Sequence, residues 1–175
     1  MLFWHLGATI AFIRYAFRDP AMDLRFLAVG AVVSDLIDLP MGIVLWASFE
    51  TPRLVAHSLI LPAVAMVVIL LATGRGDRRK RWMLVAVGML LHLALDGMWR
   101  SGETLWWPFL GWEFTGTGFA TYGAYVRDLM ADPLMWLGEV VGLAYVALLW
   151  RRSGLSSPEA RSRFLRTGVV SGGID

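Results

Sequence analysis

Cysteine is absent from this chain of 175 residues, which excludes disulfides and thiolate metal sites and leaves the redox compartment unread. Charge is scarce as well. Only 17% of residues are charged while 57% are hydrophobic, and the mean hydropathy is +0.59, above the usual soluble range. No run of about ten alternating residues suggests barrel strands, and no internal repeat stands out. What remains is an integral membrane protein built from helices, because only helices and closed barrels satisfy the backbone in lipid.

Five apolar segments carry that expectation: Leu2–Phe17, Leu24–Ala47, Leu54–Thr73, Trp82–Trp99 and Leu134–Trp150. Each approaches the ~20 residues needed to cross ~30 Å of hydrocarbon, the first and last being short. The first lacks the basic start and small-residue cleavage site of a signal peptide, so it reads as a retained helix. Thirteen of the sixteen Lys and Arg residues cluster around the first connection, in Gly74–Arg81 and after the last segment. That asymmetry predicts an all-α, multi-pass inner-membrane bundle of five spans, N-terminus out and C-terminus in. The membrane domain covers 1–152, with an aromatic outer loop at 100–133 packed at the interface. Residues 153–175 read as a flexible basic cytoplasmic tail, in which RSRFLR could meet anionic headgroups.

Lys and Arg are missing from one further place, the outer half of the spans. Seven ionisable residues sit there: His5, Asp35, Asp38, His57, His92, Asp96 and Glu139, including all three histidines. Counted from the cytoplasmic ends at ~1.5 Å per residue, they lie between roughly 16 and 24 Å up, in one slab. His92 and Asp96 are four residues apart and Asp35 and Asp38 three apart, so each pair shares a helical face. Read alone, each has a plainer role. His5 can be interfacial, His57 a polar helix start, and the two aspartates helix breakers before Pro40. Together, four carboxylates without basic partners require protonation, pairing or a bound cation. Imidazole mixed with carboxylate suits zinc or manganese, one or two ions.

The residues in hand resemble a family of bacterial and archaeal membrane-bound metal-dependent hydrolases, also described as LexA-binding and inner-membrane-associated. The resemblance covers roughly residues 1–110. Its elements are the helix with His5, SDLID in place of Pro-Asp-x-Asp, RLVAHS in place of Arg-x-x-Thr-His-Ser, and the His92-x-x-x-Asp96 helix leading to WWPF. Ser34 stands where proline is commoner. Ala56 stands where threonine is commoner, which removes a hydroxyl able to orient His57.

The resemblance implies a metal and hydrolysis. The expected ligands are His5, Asp35, Asp38, His57, His92 and Asp96, with Asp38 or Glu139 as general base. Arg53 and Arg100 would hold an anionic group at the mouth. The substrate expected from the depth of the slab is a lipid or lipid-linked phosphoester, with membrane lipids as surroundings and no nucleic acid partner. A proton or ion transporter, or a metal-binding scaffold without catalysis, is the alternative. Oligomeric state is not legible.

Overall fold

The computed structural model describes residues 1–170; the end of the expected flexible tail, 171–175, lies outside them. Among the described residues the chain is entirely helical. Its helices are α1 (Leu2–Phe17), α2 (Leu24–Val44), α3 (Trp46–Phe49), α4 (Ile60–Ala72), α5 (Asp77–Leu95), α6 (Gly102–Leu105), α7 (Tyr122–Ala131), α8 (Pro133–Arg152) and α9 (Pro158–Thr167). Two short 3-10 turns, Val55–His57 and Met98–Arg100, interrupt the sequence of helices. Helices α2 and α8 are long and apolar enough to cross a membrane, while α1 and α4 are apolar but shorter.

Two of the expected spans change shape. Residues 54–59 do not continue α4, because the Asp38 carboxylate accepts the backbone N–H groups of Leu54, Ala56 and His57 and holds that stretch in a turn. Helix α5 starts at Asp77, so its first turns are charged. It closes at Leu95, with Asp96 as its cap and Gly97 in a left-handed conformation.

Polarity is distributed inside out. Val44, Leu71 and Val140 are 82%, 83% and 61% exposed, whereas His5, Thr9, Ser34, Asp38, His57 and His92 are buried. A surface this apolar needs a nonaqueous environment or a partner.

Two backbone contacts set the bundle. A Cβ on Gly30 would lie 2.2 Å from the Val85 carbonyl oxygen, and one on Gly88 would lie 2.8 Å from Gly30 Cα. Helices α2 and α5 therefore touch backbone to backbone, the close approach that small residues allow in membrane bundles. The same relation joins α1 and α8, where a Cβ on Gly142 would lie 2.0 Å from the Phe3 carbonyl oxygen.

The loop expected on the outer side, 100–133, is folded. Trp46 Nε1 donates to the Phe119 carbonyl at 3.1 Å, Thr117 N–H donates to the Glu50 carbonyl at 2.9 Å, and Leu59 N–H donates to the Leu105 carbonyl at 2.9 Å. Trp46, Tyr122 and Tyr125 pack their rings together over this end.

The tail expected to be flexible is also folded through residue 170. Ser157 caps α9, Pro158 opens it and Gly168 ends it in a left-handed conformation. These are the ordinary start and stop signals of a helix. Beyond it the Gly168 carbonyl accepts Leu24 N–H at 2.9 Å, and Val170 is buried with Met22, Leu24, Leu27 and Leu155. Phe164 and Ala160 of α9 and Val170 thus complete the core around Leu24 and Leu27, which is why this segment does not fray.

Candidate metal centre

The centre begins with backbone register. Gly88 precedes His92 by four residues on α5, and the α2–α5 contact at Gly30 delivers the His92 ring to α2 one turn further on. There His92 Nδ1 donates to the Ala31 carbonyl at 2.8 Å. A ring nitrogen facing a carbonyl must carry the proton, so the neutral ring presents an unprotonated Nε2.

The same logic governs the other two histidines. His57 Nδ1 lies 2.8 Å from Asp38 Oδ2, and His5 Nδ1 faces the Met1 carbonyl. Each imidazole is therefore fixed by an acceptor behind it and turns Nε2 inward.

The inward atoms converge. His57 Nε2 lies 3.3 Å from His92 Nε2, 3.3 Å from Asp35 Oδ1 and 3.6 Å from Asp96 Oδ2. His92 Nε2 lies 3.5 Å from Asp35 Oδ1, and His5 Nε2 lies 3.0 Å from Asp96 Oδ1. The His5 and His92 rings stack with centroids 4.2 Å apart. Two sets of three donors result, His5–His92–Asp96 and Asp35–His57–His92, with His92 common to both. Every residue of the cluster except Asp35 is largely withdrawn from solvent; the Asp35 side chain is 39% exposed and marks the open side.

Electrostatics decides what such a cluster fits. Neutral Nε2 atoms and carboxylate oxygens are all acceptors, and two Nε2 atoms 3.3 Å apart cannot both carry protons. The arrangement needs a shared proton or a cation at its middle. Donor atoms bound to zinc at about 2.0–2.1 Å stand about 3.3–3.4 Å apart at the tetrahedral angle, which matches the spacing here. The donor set thus fits a divalent ion of the zinc or manganese class.

Not every expected residue reaches the convergence. Asp38 is fully buried, and its oxygens accept from Leu54 N (2.7 Å), Ala56 N (3.0 Å), His57 N (3.0 Å) and His57 Nδ1 (2.8 Å). Oδ2 takes three of these contacts and Oδ1 one, so the carboxylate is turned toward the 54–57 turn and orients His57 from behind. It also supplies His57 with an orienting acceptor where Ala56 offers no hydroxyl.

Glu139 stands at the start of α1, where it accepts Phe3 N–H at 3.1 Å and Trp4 N–H at 3.5 Å. It caps a helix whose first amides have no internal partner. Arg53 Nε donates to Asp96 Oδ2 at 2.8 Å, with its side chain 33% exposed. The Asp96 charge holds its guanidinium above the ordinary value despite burial, which opposes that shift. Arg100 lies exposed on its 3-10 turn.

Tyr125 on α7 was not foreseen from the sequence. It lies within electrostatic reach of Arg53, Asp96 and Asp35, and burial, with Arg53 opposing and the two carboxylates adding, raises its phenol above the usual value. No spacing rule connects a tyrosine in a loop helix with Asp96, Arg53 and Asp35, which lie far earlier in the chain. Nor could sequence indicate the Ala31 and Met1 carbonyls, which every residue type possesses.

A family model described as YdjM inner membrane protein matches residues 3–156. That span holds every residue of the cluster and both long apolar helices. No curated protein and no solved structure matches the chain significantly.

Proposed function

The chain belongs to the YdjM inner membrane protein family, and we propose that in this membrane it acts as a metal-dependent hydrolase on a lipid or lipid-linked phosphoester. The observation that carries the reading is the convergence of three imidazole Nε2 atoms, each fixed by an acceptor on its Nδ1, with Asp35 and Asp96.

The placement in the bilayer is part of the proposal. Helices α1, α2, α4, α5 and α8 make five crossings, N-terminus out. The short ones are completed by their flanking turns, and the basic clusters lie inside. The cluster then lies in the outer half of the bilayer, at the level of a headgroup.

His5, His57, His92, Asp96 and Asp35 would hold the ion. A divalent ion bound there supplies Lewis acidity and lowers the pKa of a water toward about 7. Asp35 reaches the open side and is the carboxylate placed to take a proton from that water. Asp96 is held between His5 and Arg53, so its two oxygens cannot swing away. Arg53 keeps guanidinium nitrogens beyond the Asp96 contact and lies at the mouth, where it can hold a phosphate. Tyr125 from the loop helix α7, backed by the Trp46 ring of α3, lies beside Arg53, Asp96 and Asp35 and limits bulk water.

Purified protein loaded with zinc or manganese should hydrolyse a member of a lipid phosphoester panel. Asp35→Asn should abolish turnover while much of the metal is retained. Ion flux in proteoliposomes with no hydrolysis on any substrate would contradict the reading.

A further inference from the structure

The end of the bundle opposite the histidines holds a second concave feature. A cavity of about 900 Å³ opens between the end of α1, the α4–α5 connection and the segment after α9. Its size falls within the range of ligand sites, about 300–1,000 Å³. The cavity exists because α4 packs mainly on α5 and leaves a gap toward α1, floored by α5.

Its two zones differ in chemistry. Ile13, Phe17, Leu70, Leu84 and Val87 make an apolar wall on the membrane side. The rim carries Arg75, Arg79, Lys80 and Arg81 with Asp19, Asp23 and Asp77. Several of these are committed elsewhere. Asp23 is paired with Arg25 at 2.8 Å and with Arg81 at 3.8 Å. Arg79 donates to the Leu70 and Thr73 carbonyls and so closes the end of α4. Asp19 accepts Ala21 N–H at 2.8 Å. Arg75 and Lys80 are exposed and form no ion pair among the described residues. Two uncommitted cations and one uncommitted carboxylate, Asp77, therefore border an apolar slot, a net charge of one positive unit.

We infer that this slot holds one anionic phospholipid of the inner leaflet, with an acyl chain along the apolar wall and the phosphate between Arg75 and Lys80. A soluble phosphate would leave the wall without a function, and a zwitterionic lipid would gain little from two cations. Basic pockets between membrane helices on the cytoplasmic side recognise anionic headgroups by this combination. Only the choice of leaflet rests on the orientation proposed above.

The test uses the full chain in a neutral detergent. Its melting midpoint is followed on adding dioleoylphosphatidylglycerol, dioleoylphosphatidylcholine or glycerol 3-phosphate, and bound metal is measured in parallel. Dioleoylphosphatidylglycerol alone should raise the midpoint. The double variant Arg75→Gln, Lys80→Gln should lose that increment with its metal content unchanged. An equal shift with dioleoylphosphatidylcholine, a full shift with glycerol 3-phosphate, or a persistent shift in the double variant would overturn the assignment. So would a shift that appears only after deletion of residues 171–175, since the chain's own end would then be the occupant. Absence of metal with a retained lipid shift would sink the hydrolase reading and leave this one standing.

Discussion

Asp38 Oδ2 lies 2.8 Å from His57 Nδ1 and also accepts the His57 and Leu54 backbone N–H groups, so one buried carboxylate fixes both the ring and the turn that carries it. Asp38→Ala should leave several buried donors unpaired, each costing about 1–3 kcal/mol. A marked fall in melting midpoint checks this. The milder Asp38→Asn should fold and lose about 10–100-fold in metal affinity, as expected for a group that orients a ligand. Unchanged affinity in a folded Asp38→Asn protein would refute the positioning role.

Gly88 offers a test that touches no polar atom of the centre. A side chain there meets the α2 backbone, so Gly88→Val must separate α2 from α5 and carry His92 away from Ala31. Overpacking of this kind costs about 1–3 kcal/mol or more. The informative outcome is metal content, which should drop although every ligand is intact.

Glu139 separates the cap from the catalytic assignment that its depth suggested. Glu139→Gln keeps an oxygen for the Phe3 amide but removes the charge at the start of α1. The expected cost is about 0.5–2 kcal/mol, the range for losing a helix cap. Turnover on any substrate found should stay within a small factor of wild type, and its pH profile should not move. A loss of turnover with a displaced pH profile would return Glu139 to the reaction.

Asp23 gives a pH prediction at the other end. Burial alone raises its carboxyl, but the hydrogen bonds and charge of Arg25, with Arg81 beyond, hold it below the ordinary carboxylate range. A depressed folded value stabilises the fold above the unfolded value of about 3.9 and loses that contribution as pH falls through the folded value. Docking of α9 at Leu24 and Arg25 should therefore be insensitive to pH from neutral down to about 4 and weaken only below it. Hydrogen exchange at the Leu24 amide reports this directly. Loosening near pH 6 would contradict the assignment.

Much of the centre is legible in the sequence. His92 with Asp96 and a shared depth for the other groups follow from helical register alone, and the structure brings His5, His57, His92, Asp35 and Asp96 together. Depth, however, does not give azimuth. Glu139 shares the layer but faces the end of α1, and Asp38 shares a face with Asp35 but reaches the turn behind His57. That turn was hidden because a run of apolar residues from Leu54 looks like helix until a carboxylate claims its amides. The docked tail was missed for another reason. Its composition is polar and basic, and composition outweighed the Ser157, Pro158 and Gly168 signals that end and begin helices.

Three inward Nε2 atoms and two carboxylates are the groups proposed to form a metal centre. Elemental analysis of the purified full chain, compared with His92→Ala, tests that claim most directly. Wild-type protein should carry about one or two zinc- or manganese-class ions, and His92→Ala should carry almost none. Folded wild-type protein that stays metal-free after exposure to zinc and manganese would contradict it.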